Sequence, residues 1–338
     1  MGTIFVTGGA GFIGSNFIRL LLKRDPSVRV VCVSSLNFSG NRENLRGLSK
    51  KRLTLIKGSI TDAALMARLI KKYKPEYAIN FAAESHVDRS IYGGAEQFVR
   101  TNVLGTTVLM QALLRAPHLK KFLQVSTDEV YGALPLHGKK KFTEHSPLRP
   151  NSPYASSKAA ADLIVRSFFV TYGLPAVITR CSNNYGPNQY PEKFIPYSVM
   201  RLVRGEPIAI YGDGLYVRDW VHVDDHCTAL YAALIKGKPG EIYNVGSNDE
   251  VSNLALARRM LRYFNKDESS VVYVKDRPGH DRRYALDASK IKRELGWKPK
   301  HSLAKSFESV IGWYVQNPGW IRRALAHTGT TNTHIKKA

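Results

Sequence analysis

The segment Thr7-Gly8-Gly9-Ala10-Gly11-Phe12-Ile13-Gly14 follows a short apolar run, residues 4–7, and opens a stretch of helical periodicity, residues 12–22. Gly8, Gly11 and Gly14 are spaced GxxGxxG. Between a strand and a helix, glycines permit the tight turn, let the backbone approach a pyrophosphate and let the helix pack close to the strand. The helix N-terminus behind them offers free N–H groups to phosphates. The pattern predicts a dinucleotide site at the first crossing of a parallel α/β sheet.

The rest of the chain extends that pattern. Strands are expected at residues 28–33, 53–56, 78–81, 122–126 and 176–179. Helices are expected at 62–73, 95–114 and 154–172. Such alternation predicts a Rossmann-type doubly wound parallel sheet with helices on both faces. After about Ser182 the strands shorten and Gly, Pro and Tyr become frequent. A smaller mixed α/β C-terminal unit is therefore expected over 182–326, following a dinucleotide-binding unit over 1–181. Segments around 220–247, a helix at 223–236 and a strand at 242–245, read as returning to the first sheet. A helix is expected over 303–325 and a frayed polar tail over 327–338.

Composition narrows the class. The chain has 338 residues and ordinary globular proportions, with 43% hydrophobic and 23% charged residues. No apolar run is long enough for a membrane helix, and the opening residues lack the features of a signal peptide. Cys32, Cys181 and Cys227 show neither CxxC spacing nor a disulfide framework, which fits a reducing cytoplasm. The net charge is +23. The basic clusters are short and scattered, so the charge reads as a surface attracting small anionic substrates rather than nucleic acid.

Two segments carry chemistry. Ser126-Thr127-Asp128-Glu129-Val130-Tyr131-Gly132 ends the fifth strand, where open α/β sheets place ligands. Adjacent carboxyl groups there can take opposite roles if their surroundings separate their pKa values. Tyr154-Ala155-Ser156-Ser157-Lys158 puts a phenol and an ammonium one helical turn apart, so that the charge can favour phenolate. There is no GxSxG elbow and no HExxH. His222-Val223-Asp224-Asp225-His226 spaces its histidines by four but lacks the glutamate, and no metal site is expected.

With these motifs the chain resembles the extended short-chain dehydrogenase/reductase superfamily and, within it, the dTDP-glucose 4,6-dehydratase family. The resemblance runs from about Thr3 to Trp313. Its markers are Ala82-Ala83-Glu84-Ser85-His86-Val87-Asp88-Arg89-Ser90, Thr127-Asp128-Glu129, the Tyr154/Lys158 pair, Ser182-Asn183-Asn184-Tyr185-Gly186-Pro187, Pro191-Glu192-Lys193, Arg218-Asp219-Trp220 and Arg277-Pro278-Gly279-His280-Asp281-Arg282-Arg283-Tyr284.

The resemblance implies a lyase, a hydro-lyase that uses NAD, tightly bound and regenerated in each turnover, and makes a 4-keto-6-deoxy sugar nucleotide for deoxysugar routes of the rhamnose type. Tyr154, lowered in pKa by Lys158, would take the C4 hydroxyl proton, with Thr127 holding that hydroxyl. Glu129 would remove the C5 proton and Asp128 would protonate the departing C6 hydroxyl. Cofactor contacts would come from Gly8, Gly11, Phe12, Ile13, Gly14, Ser34, Asn37, Ser59, Ile60, Phe81, Ala82, Ala83, Ser85, Thr101, Tyr154, Lys158 and Asn184. The substrate, dTDP-glucose or a related nucleotide sugar, would meet Ser85, His86, Thr127, Asn183, Lys193, Phe194, Tyr211, Arg218, Asn253, Arg277 and His280, with Arg218 and His280 on the diphosphate. A homodimer through helices 95–114 and 154–172 is implied, and no membrane.

The departures lie at the adenosine end. Serines stand at 34 and 59, where the family carries acids, so NAD would be held less tightly. NADP is the alternative, and Arg42, close in sequence to Ser34, could pair with a 2′-phosphate. The competing readings are a UDP-sugar 4,6-dehydratase, a nucleotide-sugar 4-epimerase, and a non-catalytic basic nucleotide- or RNA-binding protein on the same fold.

Overall fold

The computed structural model describes residues 2–37 and 39–326. The expected tail at 327–338 lies outside the described residues. The main sheet has seven parallel strands in the order β10-β6-β5-β4-β1-β2-β3. These are β1 (Thr3–Thr7), β2 (Arg29–Ser34), β3 (Leu53–Lys57), β4 (Tyr77–Asn80), β5 (Lys121–Thr127), β6 (Ala176–Cys181) and β10 (Ile242–Val245). The remaining strands are β7 (Asn183–Tyr185), β8 (Ile208–Tyr211), β9 (Val217–His222), β11 (Glu250–Ser252) and β12 (Val271–Val274).

Period-2 alternation explains why both faces are covered. Ile4 and Val6 of β1, with Val30 and Cys32 of β2, face a core built on α1 (Phe12–Arg24) and α8 (Val223–Lys236). Phe5, Val31 and Val33 face the opposite core, under α2 (Ala63–Tyr73), α5 (Gly105–Leu113) and α6 (Pro153–Tyr172). Two shorter helices, α3 (Val87–Tyr92) and α4 (Glu96–Phe98), precede α5. The expected helix over 95–114 is continuous but widens into a π turn at Val99–Leu104.

A separate core lies beyond the carboxyl edge of the sheet. It joins α7 (Phe194–Val203), α9 (Asn253–Tyr263) and α11 (Leu303–Gln316) through Ile195, Val199, Leu256, Met260, Phe307 and Ile311. Two small sheets, β11-β9-β7 and β12-β8, pack with these helices. In contrast, α8 packs on α1 and β10 pairs with β6, so residues 223–245 lie in the first layer. Next to them is α10 (Ser289–Leu295), whose Ile291 and Leu295 enter the same core. The helix expected at 303–325 is two helices, α11 and α12 (Pro318–Ala326). Pro318 disfavours helical geometry at the residue before it, and Asn317 leaves the α region there, at φ −117° and ψ 49°.

Candidate active site

The loops leaving β1 through β6 at their carboxyl ends enclose a cavity of about 380 Å³. At its floor Thr7 donates to Asn80 Oδ1 and Asn80 Nδ2 to Gln124 Oε1, at 2.5 and 2.9 Å. These bonds tie β1, β4 and β5 together beneath the loops. Gly8 adopts φ +68°, and a Cβ there would stand 2.5 Å from the Ala82 nitrogen. A Cβ on Gly14 would stand 2.7 Å from the Gly8 oxygen. The glycine loop therefore presses backbone against backbone, and α1 begins at Gly11 with no side-chain cap over its N–H groups.

Every residue expected at the cofactor lines this cavity. Gly8, Gly11, Phe12, Ile13 and Gly14 form one wall. Ser34, Asn37, Ser59 and Ile60 form one end. Phe81, Ala82, Ala83, Ser85, Thr101, Tyr154, Lys158 and Asn184 complete it. The hydroxyls of Ser126 and Ser182, which also line it, are buried without a hydrogen-bond partner among the described residues. The bare helix start, the Cβ-free cradle and these waiting polar groups fit a dinucleotide.

The five expected catalytic residues meet at the other end of the same cavity. Thr127 ends β5 and caps the 3₁₀ turn Asp128–Tyr131, accepting from the Glu129 N–H at 3.3 Å. That turn folds Asp128 inward and leaves Glu129 half-buried at the wall. Asp128 is 1% exposed, and its Oδ2 has no hydrogen-bond partner among the described residues. Burial, with Glu129 and Asp219 nearby, raises its pKa well above the usual carboxylate range, which favours the protonated form. Enclosure also raises Glu129, but the Arg277 and Arg218 guanidiniums pull it back down. Both carboxyl groups are therefore raised, Asp128 with two further carboxylates adding to its burial and Glu129 with two arginines opposing it.

Tyr154 lies on α6, started by Ser152, which caps the Ala155 N–H at 3.1 Å. Its ring meets Phe98 edge-on at 6.3 Å. The phenol departs from expectation. Burial and then Glu129 raise its pKa well above the ordinary value, while a hydrogen bond with Thr127 lowers it less. Lys158 is not among the leading influences on it; its Nζ donates to the Val125 carbonyl at 2.7 Å, and burial lowers the lysine itself.

The expected substrate residues divide into two groups. Ser85, Thr127, Asn183 and Lys193 line the cavity. Lys193 Nζ donates to the Ser85 carbonyl at 2.9 Å. The other seven, His86, Phe194, Tyr211, Arg218, Asn253, Arg277 and His280, are not among the cavity-lining residues. Arg277 pairs with Asp88 at 2.8 Å, and Tyr211 donates to the other oxygen of that carboxylate at 3.0 Å. Arg218, 5% exposed, donates to the Val217 and Asp281 carbonyls and packs on the Tyr284 ring. Both guanidiniums act on Glu129, so the second group abuts the catalytic end. Asn253 opens α9, its N–H held by Tyr216 O at 3.0 Å.

His280 does not bring the charge expected for a diphosphate. Burial, with Arg277 and Arg218 nearby, holds its pKa down to about 3, and its Nδ1 is tied to Asp276 at 2.8 Å. The positive charge beside His280 belongs to Arg277 and Arg218 instead. His86 is likewise held at about 3 by burial and Lys193. Sequence reasoning missed Glu192, buried against His86 at 3.8 Å and lining the cavity, and the Asp88 carboxylate that orients Arg277. Both lay inside recognised motifs, but no spacing rule marks them as partners. His226 turns inward to Asn184 at 2.8 Å, whereas ligand atoms of His222, Asp224 and His301 lie within 4.8 Å of one another at the start of α8. The helix N-terminus there disfavours a cation.

Comparison with known proteins agrees with this geometry. A family model described as GDP-mannose 4,6 dehydratase matches residues 5–310. A dTDP-glucose 4,6-dehydratase of Xanthomonas campestris is 46% identical, with 96% of each chain covered. The crystal structure of a dTDP-glucose 4,6-dehydratase, DesIV of Streptomyces venezuelae, with NAD and TYD bound, superimposes with a TM-score of 0.91 at 47% identity, covering 95% of this chain and 99% of that one. A UDP-glucose 4-epimerase of Thermotoga maritima matches less well, with a TM-score of 0.85 and 32% identity over 94% of this chain and 99% of that one. The chain therefore belongs to the nucleotide-sugar 4,6-dehydratase family, in the extended short-chain dehydrogenase/reductase superfamily.

Proposed function

We propose that this chain is an NAD-dependent dTDP-glucose 4,6-dehydratase, a hydro-lyase that releases water and returns its cofactor unchanged. The observation that carries the reading is the Asp128–Glu129 pair, one carboxyl deeply buried and raised well above the usual carboxylate range, the other raised by burial against the opposing pull of two arginines, beside Tyr154 in one cavity.

A bound NAD would take hydride from the sugar C4 and give it back at C6. The chain's own residues do the rest. Tyr154 receives the C4 hydroxyl proton while Thr127, bonded to it, orients that hydroxyl. The resulting ketone acidifies C5, and Glu129 removes the C5 proton. Asp128 donates its proton to the C6 hydroxyl, which leaves as water. Proton return to C5 accompanies hydride return to C6, and the product is a 4-keto-6-deoxy sugar. Arg218 and Arg277 oppose the rise in the Glu129 pKa and suit the nucleotide diphosphate. A 4-epimerase needs the tyrosine but not this pair of carboxyl groups.

The chain divides into a cofactor unit, 1–181 with 220–247, and a substrate unit, supported by their separate cores. Exposed Val99, Leu104, Leu163, Val170 and Tyr172, on or next to α5 and α6, support a homodimer through those helices. Three buried free cysteines support a reducing, cytoplasmic setting. Incubation with dTDP-glucose and, separately, UDP-glucose, followed by mass spectrometry, tests the reading. Loss of one water from dTDP-glucose without net NAD consumption is expected. Faster loss from UDP-glucose would reassign the nucleotide, and an unchanged mass would overturn the dehydratase reading.

A further inference from the structure

The cavity end that would receive the adenosine ribose carries no carboxylate. Ser34 closes β2 there at 5% exposure, and Ser35, Asn37, Ser39, Gly40 and Ser59 complete that end. In a βαβ dinucleotide fold, a carboxylate at this position takes the ribose hydroxyls in charge-assisted bonds and repels a 2′-phosphate. A serine hydroxyl binds a ribose only as a neutral partner and repels nothing. Ser59 is equally uncharged, and its hydroxyl is shared with Thr61 at 2.8 Å.

The loop over Ser34 is closely built. The Gly40 N–H donates to the Asn37 carbonyl at 2.9 Å, and a Cβ on Gly40 would come within 3.1 Å of Ser34 Oγ. Two residues further on, Arg42 opens the 3₁₀ turn Arg42–Leu45. It is exposed and makes no ion pair with another described residue. The nearby carboxylate, Glu43, is already engaged by Arg323 at 2.7 Å and Arg46 at 3.7 Å. An exposed cation with no ion pair among the described residues, outside the cavity lining itself, thus follows a ribose pocket without an anion, on a chain of net charge +23.

We infer that Ser34 makes this site permissive at the ribose 2′ position, so that it binds NADP as well as NAD, with Arg42 supplying the charge opposite a 2′-phosphate. This rests on the reading of the cavity as a nicotinamide-dinucleotide site. The same substitution weakens the hold on NAD and makes the cofactor exchangeable.

Isothermal titration of the purified protein, freed of carried cofactor, with NAD and with NADP gives the test. The two Kd values are expected within about tenfold of each other. Ser34→Asp is expected to tighten NAD about tenfold, the gain of one charge-assisted bond, and to weaken NADP by about a hundredfold. Arg42→Gln, on the exposed turn, is expected to weaken NADP by about tenfold and to move NAD by less than about twofold. A wild-type preference for NAD above about a hundredfold overturns the inference and leaves the dehydratase reading standing. So does a Ser34→Asp variant whose two affinities match the wild type. Binding of neither dinucleotide overturns both.

Discussion

Lys158 Nζ donates to the Val125 carbonyl oxygen at 2.7 Å, although Tyr154 lies one helical turn before it on α6. One of the three ammonium protons is thereby placed on the end of β5, and the largest charge effect on the phenol comes from Glu129, which raises it. On the proposed mechanism, the first step therefore depends on Glu129 as well as on the lysine.

The first prediction follows from that sign. A phenol held above its ordinary pKa is mostly protonated at neutral pH, so C4 oxidation should accelerate as pH rises. Glu129→Gln removes the anion that raises Tyr154, so the phenolate forms at lower pH. The pH–rate profile for single-turnover nicotinamide reduction should therefore shift to lower pH in that variant. An unshifted profile would remove Glu129 from control of Tyr154.

The three acid–base groups should separate kinetically. Tyr154→Phe leaves no proton acceptor at C4 and should cut nicotinamide reduction by about 10²–10⁴-fold. Asp128→Asn and Glu129→Gln should instead slow water loss by a comparable factor while some reduced nicotinamide still forms. Rapid-quench mass spectrometry beside absorbance of the reduced cofactor distinguishes them. Equal loss of nicotinamide reduction in all three variants would count against these roles.

How far the sequence carries depends on whether a property is local. The glycine loop, Thr127-Asp128-Glu129 and the Tyr154/Lys158 spacing are short-range patterns, and Gly8, Gly11, Gly14, Thr127, Asp128, Glu129, Tyr154 and Lys158 line one cavity. The alternation of apolar runs likewise shows the parallel sheet, because each strand must bury two faces. The charge state of His280 was not legible, since it depends on burial and on arginines brought in by folding. The contact of Lys158 with Val125 joins residues 33 apart, and that of Arg277 with Asp88 joins residues 189 apart. The break at Asn317 was legible in principle from Pro318, and the apolar periodicity running through it hid the signal.

Asp128 should lower stability as pH rises. Its folded pKa stands above its unfolded one, so between the ordinary aspartate value and the raised value the native state binds more protons than the unfolded state. Stability is then full below the ordinary value and falls with pH across that window. Asp128→Asn removes the titration and keeps the shape. Thermal melts should show the variant more stable at neutral pH, by on the order of 1 kcal/mol or more, and equal to the wild type near pH 3–4. A variant less stable at pH 7 would mean that the carboxylate is ionised and satisfied in the fold.

Gly8 offers the sharpest test of the dinucleotide cradle. Its φ of +68° is costly for any residue with a Cβ, and the added carbon would stand 2.5 Å from the Ala82 nitrogen and 2.6 Å from the Phe81 carbonyl carbon. Both are backbone atoms at the end of β4, held by Asn80 Oδ1, which accepts from the Ala82 N–H at 3.1 Å, so neither can yield cheaply. Gly8→Ala should therefore cost about 1–3 kcal/mol of stability and push the loop toward the space where a pyrophosphate would lie. Gly47 provides the control. It also has positive φ, at +79°, but a Cβ there meets nothing within 4 Å. Gly47→Ala should lose stability through backbone strain alone and keep its NAD affinity, whereas Gly8→Ala should lose both. Equal NAD affinity in the two variants, measured by titration below their melting temperatures, would show that the close approach of Gly8 to Ala82 does not shape the cofactor site.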